Sequence, residues 1–348
     1  MKTALLSGLA ATGYFLSSAT AAIHLPIVKN HHVATEQLQS ARLRNRATIT
    51  ESLGNAQNFG LYYANVTAGT PPQELSLQID TGSSDVWLPS QSARLCVREG
   101  CEGGSFDSSA SSTFKVVGQD DFNISYVDET GSMGSYFTDS FGIGGKTLQN
   151  FQMGLGEVTT ISIGILGIGY ANSVANIFTG SGTSYVNLPL ALVDAGLINS
   201  PAYSLWLDDI KSSAGSILFG GIDTTKYTGQ LQSIRVYPSS RSGNVTSFTV
   251  AFTSLRATSS SGTDLLTPSN YAQPAILDSG TTLTLLPDDI AALVFQELGA
   301  IDDKDIDAVV VPCALASNSG SLEFGFGGAG GPVIKVPVSE LVLPLTLT

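Results

Sequence analysis

An apolar strand that ends in an acid occurs twice in this chain, and the repetition constrains the fold more than any other feature. "LSLQIDTGSSDVWLPS", Leu75 to Ser90, carries Leu75, Leu77 and Ile79 into Asp80, then turns at Thr81-Gly82-Ser83-Ser84. "PAILDSGTTLTLLP", Pro274 to Pro287, carries Ala275-Ile276-Leu277 into Asp278, then turns at Ser279-Gly280-Thr281-Thr282. Each copy reads acid, hydroxyl, glycine, hydroxyl, and each closes on Leu-Pro. Burying a charge is costly unless it is paired or hydrogen-bonded. One such loop could be a turn aspartate bonding its own backbone. Two, near matching places in two halves of a chain, point to a duplicated lobe that contributes one carboxylate from each copy. Gly82 and Gly280 are read as conformational, permitting a turn that alanine could not make.

Two facing carboxylates define a chemistry. At about 3 Å and an effective dielectric near 20, their repulsion is roughly 5 kcal/mol. That corresponds to about four pKa units, so one acid keeps its proton while the other ionises. Such a pair holds an acid and a base together at low pH and can place a water between them. The rival hydrolytic chemistries lack their parts. His24, His31 and His32 all sit near the N-terminus, in a stretch read below as removable, so Ser-His-Asp and Cys-His arrangements have no base in the body of the chain. No HExxH sequence is present, and no cofactor or metal is expected.

The 348 residues suffice for two domains with a large core. Charged residues are only 13% of the chain while Gly, Ser and Thr abound, a composition of strands and turns rather than long charged helices. A formal net charge of −13 without a basic cluster in the body excludes nucleic-acid binding. An acidic body low in Lys and Arg fits an acidic medium, where protonation relieves self-repulsion. Lys2 and the apolar run Ala4 to Leu16, followed by small residues at Ala19 and Ala21, read as a secretory signal over 1–21. The run is too short for a membrane span, so a soluble exported product is expected. Residues 22–46 hold Lys29, Arg42, Arg44 and Arg46 against a single acid, Glu36. This basic strip ahead of an acidic body reads as a propeptide, a partner held by charge. Cys96 and Cys101 bracket "CVREGC" and are expected to form a disulfide, which leaves Cys313 over. Asn65, Asn123 and Asn244 open Asn-x-Ser/Thr sequences that suit glycosylation.

Along the chain, turn-bounded short strands dominate. "FGLYYANVTAGTPPQELSLQID" reads as a hairpin turning at Gly69-Thr70-Pro71-Pro72, and "DFNISYVDETGSMGSYFTDSFGIGG" as a second. Helical spacing appears at Leu188 to Leu197 and, most clearly, at Pro287 to Ala300, with acids in the first turn. The spacing predicts one lobe over 47–200 with Asp80 and another over 201–348 with Asp278.

With these motifs in place, the chain resembles the pepsin-like aspartic endopeptidases, nearest the secreted fungal members, from about Asn58 to Val342. The resemblance implies an all-β, bilobal acid-protease fold with a cleft between two β-rich lobes. It implies that Asp80 and Asp278 are catalytic, and that Thr81 and Ser279 lock the two loops across the lobe interface. It also implies that Ser83 and Thr281 bond the aspartates. "FNISYVDETGSMGS" is similar to the flap that closes over substrate, with Tyr126 the flap tyrosine, Asp128 and Thr130 beside it, and Trp87 its support. "GILGIGY", Gly164 to Tyr170, is similar to the strand that threads the first loop. Fungal relatives read Tyr-Gly-Asp-Gly where this chain has Tyr126-Val127-Asp128-Glu129, so a stiffer or differently shaped flap tip is expected. Asp128 matches a flap aspartate that admits lysine before the cut. The family continues past "IKVPVSELVLPL" with further strands, one threading the second loop, and with a partner for Cys313, so the second lobe is expected to be incomplete. The expected partners are protein and peptide substrates, acting on a monomer. The alternative reading is a weak or inactive binding protein on the same fold.

Overall fold

The computed structural model describes residues 3–5, 20–23, 47–56, 60–178, 183–208, 212, 214–240, 242–305 and 308–344. The expected signal and propeptide, 1–46, lie outside the described residues, apart from the short strands Thr3–Leu5 and Thr20–Ile23.

The first lobe is built on strand alternation. In Gln73–Asp80 every second side chain from Leu75 to Ile79 is buried, and Asp80 follows them inward. The strand belongs to a ten-stranded sheet. Its order runs Tyr203–Trp206, Ala214–Phe219, Ile49–Ala56, Leu61–Ala68, Gln73–Asp80, Gly164–Gly167, Val86–Pro89, Lys146–Thr159, Gly131–Ile143 and Lys115–Ser125. Gly164–Gly167 runs parallel to Gln73–Asp80, with Gly167 opposite Asp80, and antiparallel to Val86–Pro89. It therefore passes between the two arms of the Asp80 loop. Its continuation holds that loop by Ile168 N–H to the Asp80 carbonyl and Gly169 N–H to the Ser83 carbonyl, both 2.8 Å. The slot is so narrow that a Cβ on Gly167 would lie 2.5 Å from the Asp85 carbonyl oxygen.

The sheet crosses the boundary expected at residue 200. Tyr203–Trp206 and Ala214–Phe219 extend it through Ile49–Ala56. Ile217 and Phe219 bury with Leu77, Ile79 and Phe137 in one apolar core, and that burial draws the two strands to this sheet. A second core gathers Val250, Phe252, Leu255, Leu286, Val294, Leu322 and Phe324. Its sheet centres on Thr249–Ser259, which pairs with Gly262–Leu265, Ser321–Phe326 and Gln273–Ile276, the strand leading to Asp278. The helix Asp288–Leu298 packs Ile290, Ala291 and Val294 onto this core. Asp288 and Asp289 oppose the positive end of its dipole, and Gly299 closes it at φ 59°. The other expected helix forms over Leu188–Asp194. Cys96 and Cys101 are joined by a disulfide around the short helix Arg94–Glu99. Cys313 is half-buried at the start of a 3-10 turn. No helix among the described residues is long and apolar enough to cross a membrane.

Candidate active site

The two aspartate loops meet at the junction of the lobes and lock each other. Thr81 Oγ1 donates to the Leu277 carbonyl at 2.9 Å and accepts from Ser279 N–H at 2.9 Å. Ser279 Oγ donates to the Ile79 carbonyl at 3.0 Å and accepts from Thr81 N–H at 3.1 Å. Each hydroxyl thus bonds the backbone on either side of the opposite aspartate. Gln78 adds a strut, with Nε2 donating to the Gly280 carbonyl at 2.7 Å.

Within each loop the carboxylate is held by its own turn. Asp80 accepts from Gly82 N–H at 2.7 Å and from Ser83 Oγ. Asp278 accepts from Gly280 N–H at 2.8 Å and from Thr281 Oγ1 at 2.7 Å. The repeated acid, hydroxyl, glycine, hydroxyl pattern is this repeated geometry. The glycines have a different reason from the turn conformation expected of them. Neither has φ in the left-handed region. A Cβ on Gly82 would lie 2.6 Å from Asp278 Cγ, and one on Gly280 would lie 2.5 Å from Asp80 Oδ1. Each glycine makes room for the carboxylate of the other lobe.

The pair is unequal. Asp80 is 5% exposed, whereas Asp278 is open to the cleft. Burial and the neighbouring charge of Asp278 raise the Asp80 pKa to about 7, against the lowering bonds from Ser83 and Gly82. The two carboxyls are close enough to share a hydrogen bond, which stabilises the protonated form of Asp80.

Over the dyad hangs the hairpin of Lys115–Ser125 and Gly131–Ile143. Its tip is the turn Tyr126 to Thr130, closed by Tyr126 N–H to the Thr130 carbonyl at 2.8 Å. Asp128 Oδ1 accepts from Thr130 N–H at 3.0 Å and Thr130 Oγ1 at 2.6 Å, so the acid braces the tip. Glu129 stands at φ 66°, a left-handed position that disfavours a side chain and favours glycine. Trp87, fully buried, donates Nε1–H to Tyr126 Oη at 2.8 Å and packs on Phe122. Burial, then the charge of Asp80, keep the Tyr126 phenol protonated far above its ordinary pKa. The cleft beneath encloses about 1070 Å³, and its apolar lining includes Val127, Ile161, Phe178, Leu283 and Leu285.

Asp85 escapes motif reading. It has no exposed surface, and its carboxylate accepts from Tyr136 Oη at 2.9 Å, Tyr185 Oη at 2.8 Å and Ala175 N–H at 2.7 Å. It thereby ties the Asp80 loop to a flap strand and to the Ala175 wall of the cleft. Its signal is an acid set directly before the wholly apolar strand Val86–Pro89, a place where a charge must find partners. Gln78 likewise gives no local sign of its bond across the lobes.

A family model described as "Eukaryotic aspartyl protease" matches residues 61–346. "Probable aspartic-type endopeptidase OPSB" of Arthroderma benhamiae is 43% identical over 308 residues, covering 88% of this chain and 61% of that protein. "Acid protease" of Saccharomycopsis fibuligera is 34% identical over 87% of this chain and 74% of its own length. "Secreted aspartic protease 8" of Candida albicans is 33% identical over 86% of this chain and 69% of its own. The crystal structure of the aspartic proteinase from Irpex lacteus superposes with a TM-score of 0.65 at 22% identity, covering 84% of this chain and 79% of that one. The chain spans about three-fifths of the length of the OPSB relatives it matches.

Proposed function

Because the chain belongs to the eukaryotic aspartyl protease family, we propose that it is an exported, acid-active endopeptidase whose reacting groups are Asp80 and Asp278. One observation carries this reading. Two carboxylates from separate lobes are held against each other by reciprocal hydroxyl bonds, with glycine on each side clearing the space between them.

The inequality of the pair divides the work. Asp80, buried and raised, keeps the shared proton, and exposed Asp278 is the base. Asp278 takes a proton from the attacking water as its oxygen bonds the peptide carbonyl carbon, and Asp80 gives its proton to the carbonyl oxygen. In the tetrahedral intermediate the proton held by Asp278 passes to the nitrogen. The C–N bond then breaks, and a gem-diol proton returns to Asp80. The Tyr126 hairpin shields this exchange from bulk water. Export rests on the N-terminal signal pattern and on the relative named as secreted. The chain is expected to cut denatured protein at roughly pH 3–5 and to be blocked by a pepstatin-type transition-state mimic. Absence of cleavage, or cleavage indifferent to the mimic, overturns the assignment.

Specificity follows the cleft lining. Exposed Val127 and Phe178 favour bulky apolar residues beside the cut. Asp128, the exposed acid of the flap tip, adds acceptance of lysine before it. Because Asp128 also braces the tip, the test needs a variant that keeps Oδ1 as acceptor and removes only charge. Asp128→Asn is expected to lower kcat/KM after Lys about tenfold while leaving cleavage after Leu or Phe unchanged, the effect of about 1.4 kcal/mol of ion pairing. Equal losses on both substrates make Asp128 a structural brace and nothing more.

A further inference from the structure

Three Asn-x-Ser/Thr sequences stand outside the dyad chemistry, and all three asparagines are exposed but differ in their local bonds and in their distance from the cleft. Asn65 lies within the strand Leu61–Ala68, and its Oδ1 accepts from Ser76 Oγ of the adjacent strand at 2.8 Å. The partner hydroxyl of that sequence, Thr67 Oγ1, is packed where a Cβ on Gly142 would lie 2.3 Å away. Asn244 belongs to a loop it helps to close, its carbonyl accepting from Ser239 N–H at 2.8 Å. Asn123 is on the flap. Its strand, Lys115–Ser125, is the outermost of the ten, and Phe122 and Ile124 turn inward to the Trp87 cluster. Asn123 and Ser125 therefore turn outward, both exposed, at the wall of the cleft and beside the flap tip.

The register supplies a second observation. Asn123 sits opposite Met133, and Met133 sits opposite Val158, so the three form one row across the flap strands. Met133 is 49% exposed and Val158 is 61% exposed. An exposed apolar pair next to an open sheet edge is a site for unwanted association unless something covers it.

The geometry points to Asn123 as an N-glycosylation site whose sugar covers the Met133–Val158 strip and stands at the cleft mouth, so that extended segments enter and folded proteins are turned away. In the attachment, a bond forms from Asn123 Nδ2 to the first sugar as the sugar–phosphate bond of a lipid-diphosphate oligosaccharide donor breaks. The amide proton leaves with the lipid diphosphate. Ser125 supplies the hydroxyl that the acceptor sequence requires. The transfer takes place on an exported chain, so the inference rests on the export proposed above.

The test uses the full chain made in a eukaryotic host. Peptide mass mapping, after enzymatic sugar release in heavy-oxygen water, reads occupancy at Asn65, Asn123 and Asn244. The folded secreted protein is then assayed before and after native trimming with an endoglycosidase, on a short extended peptide and on a folded protein. Because the same molecules are compared, no variant has to fold. Asn123 is expected to be occupied, and trimming is expected to raise cleavage of the folded protein several-fold while the short peptide rate stays unchanged. Asn123→Gln is expected to remove one sugar chain from the secreted product. Asn123 found bare in exported protein overturns the proposal, whatever the other two positions carry. Equal effects of trimming on both substrates overturn the size filter. A chain retained inside the cell refutes export, and the proposal with it.

Discussion

Asp80→Asn and Asp278→Asn are each expected to lower kcat on the order of 10³-fold or more, with the fold retained. An amide at position 80 cannot hand a proton to the peptide carbonyl, and one at position 278 cannot take a proton from water. Each amide still offers its oxygen to the backbone donor, Gly82 N–H in one case and Gly280 N–H in the other, and its NH2 replaces the second oxygen and donates to the Ser83 or Thr281 hydroxyl, which turns to accept. The loops should therefore keep their shape, and KM should move little, because the loss falls in the transition state. Gly280→Ala provides the complementary measurement, since it keeps both carboxyls. Its methyl would sit 2.5 Å from Asp80 Oδ1, and the acid would have to move. Misplacement of about 1 Å costs about 10²-fold in rate. Near-normal activity in either Asp→Asn variant would place the chemistry elsewhere. Near-normal activity in Gly280→Ala would show that the spacing of the pair is loose.

How much of this site can be read from residues alone depends on the distance over which each bond acts. Asp80 and Asp278 are legible because the acid, hydroxyl, glycine, hydroxyl turn recurs in the second copy, whereas the bonds that Ser83 and Thr281 make to them, though they span only three residues, are named through resemblance. The flap pair Trp87 and Tyr126 is legible only through resemblance, as nothing local links residues 39 apart. The strut from Gln78 to Gly280 spans 202 residues and leaves no local trace. Glycine is ambiguous for a physical reason. Sequence reports the missing Cβ but not whether it is absent for φ or for space, and at Gly82 and Gly280 the answer is space. The opposite case is Glu129, where a side chain occupies a left-handed φ that its sequence neighbours do not reveal. The sheet that runs past residue 200 is hidden in the same way. Tyr203–Trp206 and Ala214–Phe219 look like strands of either lobe, and only the burial of Ile217 and Phe219 with the first core assigns them. Asp85 lies inside the Asp80 loop stretch, yet its three donors come from distant segments.

Stability is expected to fall as the medium is brought from acid to neutral, by on the order of a few kcal/mol from the Asp80–Asp278 pair. In the folded chain the Asp80 pKa is raised from 3.8 to about 7. Below about pH 4 the acid is protonated in both folded and unfolded chains, and the contribution is fully present. Between about pH 4 and pH 7 the unfolded chain releases the proton while the folded chain retains it, so each step upward in pH favours unfolding. Above about pH 7 the folded site is also ionised, and the loss is complete. Asp85 acts in the same direction, because burial raises its pKa as well. The raised carboxyls Glu51 and Glu157, both dominated by desolvation, add to the trend. Asp107 and Asp223 are lowered by their own turn bonds, but both lie at the surface, where solvent screens the effect. Denaturant unfolding at pH 4 and pH 7 measures the slope, and Asp80→Asn isolates the residue responsible. The variant should lose most of the Asp80 share of the slope and be more stable than the parent at pH 7, since the amide never ionises. At pH 4, where the parent carboxyl is largely protonated, the two should nearly coincide. An unchanged slope in Asp80→Asn would mean that the buried member of the pair is not the group that holds the proton.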